Sequence, residues 1–433
     1  MIEYFIENSY IEQNKFAELC NLYNMEFETV NMFLLKNKLI EIEDKNNRII
    51  FRYVGLVSIG NLIMFILPKY VKELTDINSN KDHAKLILMI LQKYVESKRN
   101  LPNYKLETLN FTDEDLIYNK IAILKYFISD YIENGLYTNN RREYIKNGVG
   151  KIEWNKTIQN NSVIVSRGIP IYVDIITDRT NIDNENIIRA VHRYIIAQAI
   201  EFFGNLDLIE CSIDLDECCD LPFDDINYIL QILNSRLNIE FKDRNIRLIR
   251  AMKIFLNNEN KLDNDIEVNI YGTREFEYVW EEICSQIFNN EYLNSIDEIE
   301  KPIFCKKDCS FINETRGTLK PDVVSYDNDI LYILDAKYYD FHFNSEGKII
   351  GKYPDTYDIV KQLAYEDKMK KRKLSGKIIN IFSIPSFNST EVIGNVKFEL
   401  FNTNGVINIL NVNVNEAYDK YLNQTFFELN KII

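Results

Sequence analysis

The chain has 433 residues, of which 46% are hydrophobic and 27% are charged, and its formal net charge is −14. This composition is enough to build about two or three domains with substantial cores, so it excludes a disordered chain. The negative charge argues against a protein that grips nucleic acid unaided over a wide surface, because phosphate neutralisation requires clustered lysine and arginine.

Residues 1–75 are predicted to form a small α/β unit. Residues 13–40 have helical periodicity, and RIIFRYVGLVSIGNLIMFILPKYV at 48–71 predicts strands bent at Gly55 and Gly60. The two amphipathic helices also admit a helix-turn-helix interpretation.

The first residues lack a basic start followed by an apolar run, and no later stretch of about 18 residues is free of charge. We therefore expect a soluble, cytoplasmic protein without a membrane partner.

Residues 76–262 are predicted to form a mainly helical middle region with β segments, which would contact a partner or DNA. The two β segments are predicted at 147–158 and 162–177. The polar stretch NNENKLDNDIE at 257–267, after the last predicted helix of this region, is predicted to be a linker. Apolar residues recur at helical spacing over 82–98, 112–136, 183–203, 224–236 and 243–257.

Residues 263–433 change to an alternation of helices and strands. This order predicts a mixed sheet flanked by helices, so the fold class is α/β with an α+β N-terminal part. Helices are predicted at 273–288, 355–374 and 415–429, and strands at 320–326, 330–338, 377–385 and 395–402. No Gly-x-x-x-x-Gly-Lys-[Ser/Thr] sequence occurs, which argues against a P-loop NTPase.

The stretch KPDVVSYDNDILYILDAKYYD at 320–340 places a Pro-Asp pair 13 residues before Asp-Ala-Lys. Its polar turn between two β-rich runs predicts a hairpin, which would bring Asp322 near Asp335. Because side chains alternate along a strand, Asp335 and Lys337 should project from one face. Two converging carboxylates suit Mg²⁺, and Lys337 could orient or deprotonate water or stabilise transition-state charge. A structural ion pair between Asp335 and Lys337 is the alternative.

This Pro-Asp…Asp-x-Lys pattern resembles the PD-(D/E)xK nuclease superfamily, whose fold and metal-dependent cleavage of phosphodiesters are then expected for residues 263–433. The resemblance implies that the first core helix gives a glutamate to the metal. Glu281 is the first choice and Glu277, four residues earlier on the same face, is the second. It also implies that Gln362 and Tyr365 on the next helix position the lysine or the scissile strand.

The helix after the motif is locally basic. Lys361 to Lys377 contains seven basic and two acidic residues. The candidate DNA contacts are Lys361, Tyr365, Lys370, Lys371 and Arg372. Cations at the end of a helix also offset its macrodipole without any ligand.

A second resemblance runs in order through most of the chain. FRYVGLVSIGNLIMFILPKY, GKIEWNKTI, YGTREFEYVWEEIC and the motif region together resemble a LlaJI-type restriction endonuclease subunit, similar in plan to McrC. The resemblance implies a DNA endonuclease subunit of a two-component restriction system. It also implies that the N-terminal part docks on a hexameric AAA+ GTPase of the McrB type and stimulates its GTP hydrolysis. GTP would then be bound and hydrolysed only by this motor, and Mg²⁺ would be the subunit's own cofactor.

Two other functions remain open. A stand-alone restriction or repair nuclease of the same fold would cut DNA without partner or nucleotide. A non-catalytic activator or scaffold would keep the nuclease fold only to bind the motor or DNA, although a retired site tends to lose one of Asp322, Asp335 and Lys337.

Overall fold

The three-dimensional structure is a computed structural model. Contacts divide the chain into two compact units: Met1–Leu116 with Glu267–Ile433, and Ile117–Ile266. The three predicted domains, with boundaries near 75 and 262, stay a prediction. The residues that the structure describes are 2–74, 76–99, 120–138, 140–182, 186–205, 220–259, 268–292, 299, 303–305, 312–314, 319–327, 329–344, 346–371, 376–400 and 403–433.

The N-terminal part of the first unit contains six strands and three helices within its described residues. These elements are β1 (Ile2–Ile6), β2 (Tyr10–Glu12), α1 (Gln13–Leu22), α2 (Phe27–Lys36), β3 (Ile40–Glu43), β4 (Arg48–Phe51), β5 (Val54–Ile59), β6 (Leu62–Leu67) and α3 (Ile77–Arg99). The predicted helices and the strands that follow them are confirmed. Gly60 has a φ of 53° at the turn between β5 and β6, and both strands are almost wholly buried.

The helices α1 and α2 pack through one apolar face each. Phe16 and Cys20 of α1 and Val30 and Leu34 of α2 share a core with residues of β3 to β6. Burial of these faces against strands accounts for the helical periodicity without a nucleic acid. The helix-turn-helix interpretation stays an untested hypothesis.

The second unit combines helices with short strands. Its described elements are α4 (Lys120–Asn134), β7 (Asn140–Lys146), β8 (Lys151–Ile152), α5 (Trp154–Asn160), β9 (Val163–Ser166), β10 (Ile169–Tyr172), β11 (Ile176–Ile182), α6 (Ile187–Asn205), α7 (Ile226–Leu237) and α8 (Asp243–Glu259). The β prediction for 147–158 is wrong over α5. Thr157 Oγ1 accepts a 2.9 Å hydrogen bond from Ile176 N, which fastens this short helix to β11.

The C-terminal part of the first unit carries the predicted nuclease region. Its described elements are β12 (Val268–Thr273), α9 (Phe276–Ile287), β13 (Ile303–Cys305), β14 (Ile312–Glu314), β15 (Val323–Asp327), β16 (Ile330–Ala336), β17 (His342–Phe343), β18 (Ile349–Ile350), α10 (Thr356–Lys371), β19 (Lys377–Ser386), β20 (Glu391–Lys397), β21 (Val406–Asn413) and α11 (Val414–Asn423). The final helix is shorter than predicted. It ends at Asn423 because Gln424 takes the left-handed conformation with a φ of 55°.

A five-stranded mixed sheet organises this part, in the order β15-β16-β19-β21-β20. The hairpin of β15 and β16 is confirmed, with Asp327 opposite Ile330 at the turn. β16, β19 and β21 run parallel, so their carboxyl ends lie at one edge of the sheet. The sequence did not predict β21, and the strand predicted at 395–402 is found at Glu391–Lys397.

β12 joins a different sheet, in the order β1-β6-β5-β12. It pairs antiparallel with β5, and Gly272 lies opposite Gly55. A Cβ on Gly272 would lie 2.1 Å from Val54 O, so only glycine permits this close approach of the two backbones. The segment that leads directly into α9 is therefore fixed on the N-terminal strands.

The fold is mixed α/β, as predicted: an α+β N-terminal part precedes a C-terminal mixed sheet with helices against it. In the ranges given above, every helix is too short or too polar to cross a membrane.

Candidate active site

The hairpin holds Asp322 and Asp335 beside each other at the edge of the mixed sheet. Asp322 directly precedes β15, and its Oδ2 accepts a 2.9 Å hydrogen bond from Ala336 N, one residue beyond Asp335. Asn290 holds the backbone at the start of β15, because its Nδ2 donates to Asp322 O at 2.9 Å and its Oδ1 accepts from Val324 N at 3.0 Å. The proximity predicted from the hairpin is present in the structure.

Asp335 is almost completely buried, with 1% of its surface exposed. Its strand β16 lies between β15 and β19, with Asp335 opposite Phe382. Two ammonium groups compensate its charge: Lys337 Nζ is in contact with Oδ2, and Lys361 Nζ lies 3.4 Å from Oδ1. A buried carboxylate requires such partners, since an unpaired charge in this position would be costly.

Lys337 joins two carboxylates. Its backbone N–H donates to Ser383 O at 2.9 Å, which continues the pairing of β16 with β19, and its Nζ lies 2.7 Å from Asp358 Oδ1 as well as against Asp335. Burial lowers the pKa of Lys337, but the two carboxylates outweigh burial and the net pKa is raised. The ammonium group is therefore charged at neutral pH.

Asp358 lies in the first turn of α10 and is held from three directions. Besides Lys337, Tyr339 Oη donates to its Oδ2 at 3.2 Å and Asp355 N donates to the same oxygen at 3.1 Å. Burial raises the pKa of Asp358, but the hydrogen bond from Lys337 and the other donors prevail, so the pKa is lowered. Asp358 and Tyr339 were not among the site residues predicted from the sequence. The sequence signal that could have identified Asp358 was its position one helical turn before Gln362, on the same face of the helix.

Glu281 projects from α9 toward the same carboxylates. Burial, followed by the charge of Asp335, raises the pKa of Glu281, while Lys361 opposes the increase. Glu277 is exposed one turn earlier. Between the two glutamates considered from the sequence, Glu281 has the more buried position, and the ligand role of either stays a prediction.

Asp322 has the most strongly altered acidity in the group. Burial, then the charges of Asp335 and Glu281, raise the pKa of Asp322 to about 7, although the hydrogen bond from Ala336 N and the charge of Lys361 oppose this. We call Glu281, Asp322, Asp335, Asp358, Lys337 and Lys361 the carboxylate site. With all four carboxyl groups ionised, the two ammonium groups would leave a formal charge of −2, and protonation of Asp322, whose pKa lies near 7, reduces this excess of negative charge.

Gln362 and Tyr365 support the strands from α10 and do not contact the carboxylates through a hydrogen bond within the described residues. Gln362 is fully buried, and its Nε2 donates to Ile333 O at 2.7 Å in the middle of β16. Tyr365 is also fully buried and donates from Oη to Lys320 O at 2.7 Å, just before Asp322. Their predicted catalytic or DNA-contacting roles stay predictions.

The basic candidates on α10 have carboxylate partners in this structure. Lys361 lies at Asp335, Lys370 Nζ is 2.8 Å from the buried Glu366, and Lys371 Nζ is 2.6 Å from Asp367. Arg372 lies outside the described residues. Lys371 is largely exposed, so its ion pair contributes little and leaves the ammonium group accessible to phosphate, whereas Lys370 is paired with the fully buried Glu366.

The donor set fits a divalent cation. Three carboxyl groups, Glu281, Asp322 and Asp335, have side chains close enough to affect one another's charge, and Mg²⁺ prefers such oxygen ligands. Across the described ranges, no three histidine, cysteine, aspartate or glutamate side chains already surround one point as a metal cage. Both oxygens of Asp335 are instead taken by lysines, so a cation would replace at least one ammonium group there.

A cavity of about 620 Å³ lies elsewhere in the first unit. Its walls include Tyr70 and His83 from the N-terminal part and Phe341, Phe387 and Asn411 from the C-terminal part. None of the six residues of the carboxylate site lines it, so the cavity is separate from the candidate chemistry.

A mixed sheet that places one aspartate before a strand and Asp-x-Lys at the end of the next is the layout of a PD-(D/E)xK restriction endonuclease-like domain. The family model of the LlaJI restriction endonuclease matches residues 53–414. The chain belongs to this family.

A curated relative supports the same family. The chain is 30% identical over 410 residues to the type II restriction enzyme BsuMI component YdjA of Bacillus subtilis (strain 168), which covers 92% of this chain and 86% of the relative.

Two solved structures are distantly similar. A half-complex from a tetradecameric assembly of Thermococcus gammatolerans McrB AAA+ hexamers with bound McrC has a TM-score of 0.40 at 15% identity and covers 100% of both chains. The cryo-EM structure of the Thermococcus gammatolerans McrBC complex has a TM-score of 0.24 at 12% identity, covering 59% of this chain and 79% of that chain.

Proposed function

We propose that the chain is the Mg²⁺-dependent DNA endonuclease subunit of a two-component restriction system. The observation that carries the proposal is the pair Asp322 and Asp335, held beside each other with Lys337 at the edge of the mixed sheet in a chain of a restriction endonuclease family. A buried acidic pair with this much mutual repulsion is costly for stability alone, and it suits a divalent cation.

Asp322, Asp335 and Glu281 would hold the cation, with Glu277 as the less favoured alternative to Glu281. When bound, the cation supplies Lewis-acid polarisation of the scissile phosphate and offsets its developing charge. The chain itself contributes the rigid placement of the carboxylates: the Asn290 amide fixes the backbone of Asp322, and Gln362 holds the middle of β16. Both contacts limit the freedom of the strands that carry the ligands.

Lys337 would stabilise negative charge on the phosphate as the attacking oxygen adds. Its raised pKa keeps the ammonium protonated, which favours orienting water and stabilising charge over removing a proton from water. Lys361, Lys370, Lys371 and Arg372 would contact the DNA backbone, and their contribution should be sensitive to salt.

The proposed partner is a hexameric AAA+ GTPase of the McrB type that reads and translocates DNA. Three observations favour a partner: the chain has no P-loop sequence, its net charge is −14, and the Bacillus subtilis relative is described as a component of its enzyme. The N-terminal residues 1–75 would dock on this motor and stimulate GTP hydrolysis.

Reconstitution tests the proposal. The purified chain is incubated with plasmid DNA and Mg²⁺, alone or together with an AAA+ GTPase encoded beside its gene, with and without GTP. We expect cleavage only when the chain, the GTPase, GTP and Mg²⁺ are all present. Efficient cleavage by the chain alone would instead establish a stand-alone nuclease. Stimulated GTP hydrolysis without any cleavage of DNA that the system restricts in cells would establish a non-catalytic activator.

A further inference from the structure

The ammonium group of Lys337 has two carboxylate partners with different surroundings. Asp335 contacts it from the strand, and Asp358 Oδ1 lies 2.7 Å away on α10. Asp335 has an alternative cation, Lys361, at 3.4 Å. A metal ion that takes Asp335 as a ligand would therefore leave Lys337 without its nearer partner.

Asp358 is oriented without help from Lys337. Its Oδ2 accepts hydrogen bonds from Asp355 N at 3.1 Å and from Tyr339 Oη at 3.2 Å. The backbone N–H of Asp358 donates in turn to Asp355 Oδ1 at 2.9 Å, which closes a reciprocal pair at the start of the helix. Oδ1 is consequently aimed at Lys337 by the fold of the helix start.

We infer that Asp358 is the positioning residue for Lys337, holding its ammonium group at the site when Asp335 turns to the metal ion. The inference rests on the proposed nuclease function and assigns a residue that the Pro-Asp…Asp-x-Lys pattern does not include. Asp358 keeps Lys337 from competing with the metal for Asp335, and it keeps the ammonium group beside the position of the scissile phosphate.

Removing the charge of Asp358 tests this role through metal binding as well as activity. Asp358→Asn keeps the side-chain volume but leaves Lys337 with Asp335 as its single carboxylate among the contacts described. We expect the affinity of the full-length protein for Mn²⁺, measured from free Mn²⁺ by electron paramagnetic resonance, to fall about tenfold or more, and cleavage by the reconstituted system to fall about 10- to 100-fold. The effect on cleavage should appear in kcat, because the contact positions an ammonium group that would act on the scissile phosphate during the reaction.

A double-mutant cycle separates positioning from general damage. In a Lys337→Met background, Asp358→Asn should lower Mn²⁺ affinity by less than about threefold, since no ammonium group then competes for Asp335. An equal loss in both backgrounds would overturn the inference. Asp367→Asn, which removes a carboxylate–lysine pair farther along the same helix, is the matched control and should leave Mn²⁺ affinity unchanged.

Two further variants keep the result interpretable. Tyr339→Phe removes only one donor to Asp358 and should weaken Mn²⁺ binding in the same direction; if Asp358→Asn does not fold, an unchanged affinity in Tyr339→Phe would overturn the inference. Asp335→Asn tests the proposed function independently. If wild-type protein and Asp335→Asn bind Mn²⁺ equally, the proposed metal site itself is wrong, which is a different result from additivity in the cycle.

Discussion

Replacing Asp322 with asparagine is expected to stabilise the metal-free protein while abolishing DNA cleavage. Burial and the neighbouring carboxylates raise the pKa of Asp322 from its ordinary value of 3.8 to about 7. Since one pKa unit corresponds to about 1.4 kcal/mol, the cost of ionising this carboxyl group in the folded protein has a ceiling of about 4 kcal/mol. Asparagine keeps an oxygen that can accept the hydrogen bond from Ala336 N and carries no charge.

The sign of the effect depends on pH. A carboxyl group whose pKa is higher in the folded than in the unfolded protein destabilises the fold increasingly as pH rises from about 4 to about 7. Above about pH 7 this destabilisation has reached its full size. In EDTA, Asp322→Asn should therefore raise the melting temperature by at least about 2 °C at pH 8, with a much smaller gain at pH 5. Differential scanning calorimetry at both pH values measures this. A loss of stability at pH 8, or the same change at both pH values, would refute the electrostatic reasoning.

Three other predictions concern neighbouring contacts. The Mg²⁺ concentration for half-maximal cleavage should rise by up to about tenfold as pH falls from about 7 to 6, because protons compete for Asp322, and a flat profile in initial rates would contradict this. Lys361→Met should tighten Mn²⁺ binding several-fold, because the variant removes a cation that pairs with Asp335. Weaker DNA binding with unchanged Mn²⁺ affinity would instead show that Lys361 contacts only DNA. Tyr338→Phe should lower the free energy of unfolding, measured in urea titrations, by about 1–3 kcal/mol, because Tyr338 Oη donates a 2.5 Å hydrogen bond to the buried Glu7. An unchanged free energy would show that other donors satisfy Glu7.

The hairpin was predictable because its information is local. The Asp327 to Asp329 turn and the apolar runs on both sides predict two antiparallel strands, and this pairing alone brings Asp322 close to Asp335. The amphipathic pattern over 273–288 likewise predicted α9, the helix that carries Glu281. These features depend on residues that are neighbours in sequence or face each other across one turn.

Contacts between distant segments were not predictable in the same way. The pairing of β12 with β5 joins residues more than 200 positions apart and depends on the close approach at Gly55 and Gly272. The strand β21 was missed although Asn404 and Gly405, a typical turn dipeptide, directly precede its apolar run. Long-range pairing is decided by complementary burial, which a single sequence does not encode position by position.

The ion-pair partners of the lysines could not be predicted from the sequence either. Lys361 was predicted as a DNA contact from the positive charge of its helix, whereas the structure places it at Asp335. Asp358 reaches Lys337 only because the start of α10 lies against the end of β16, a relation between a helix and a strand 20 residues apart. Gln362 was predicted to position the lysine or the scissile strand, and its hydrogen bond to Ile333 O in the middle of β16 was not predicted.

The most direct measurement of the central claim uses Asp335→Asn assembled with the AAA+ GTPase, GTP, Mg²⁺ and plasmid DNA. DNA cleavage and GTP hydrolysis are followed in the same reaction, with Asp367→Asn as the control. We expect Asp335→Asn to reduce cleavage by at least about 100-fold while the stimulation of GTP hydrolysis stays at the wild-type level, because Asp335 serves the metal and not the motor. Cleavage at the wild-type rate, or loss of both activities together in a folded variant, would contradict the assignment of this carboxylate to catalysis.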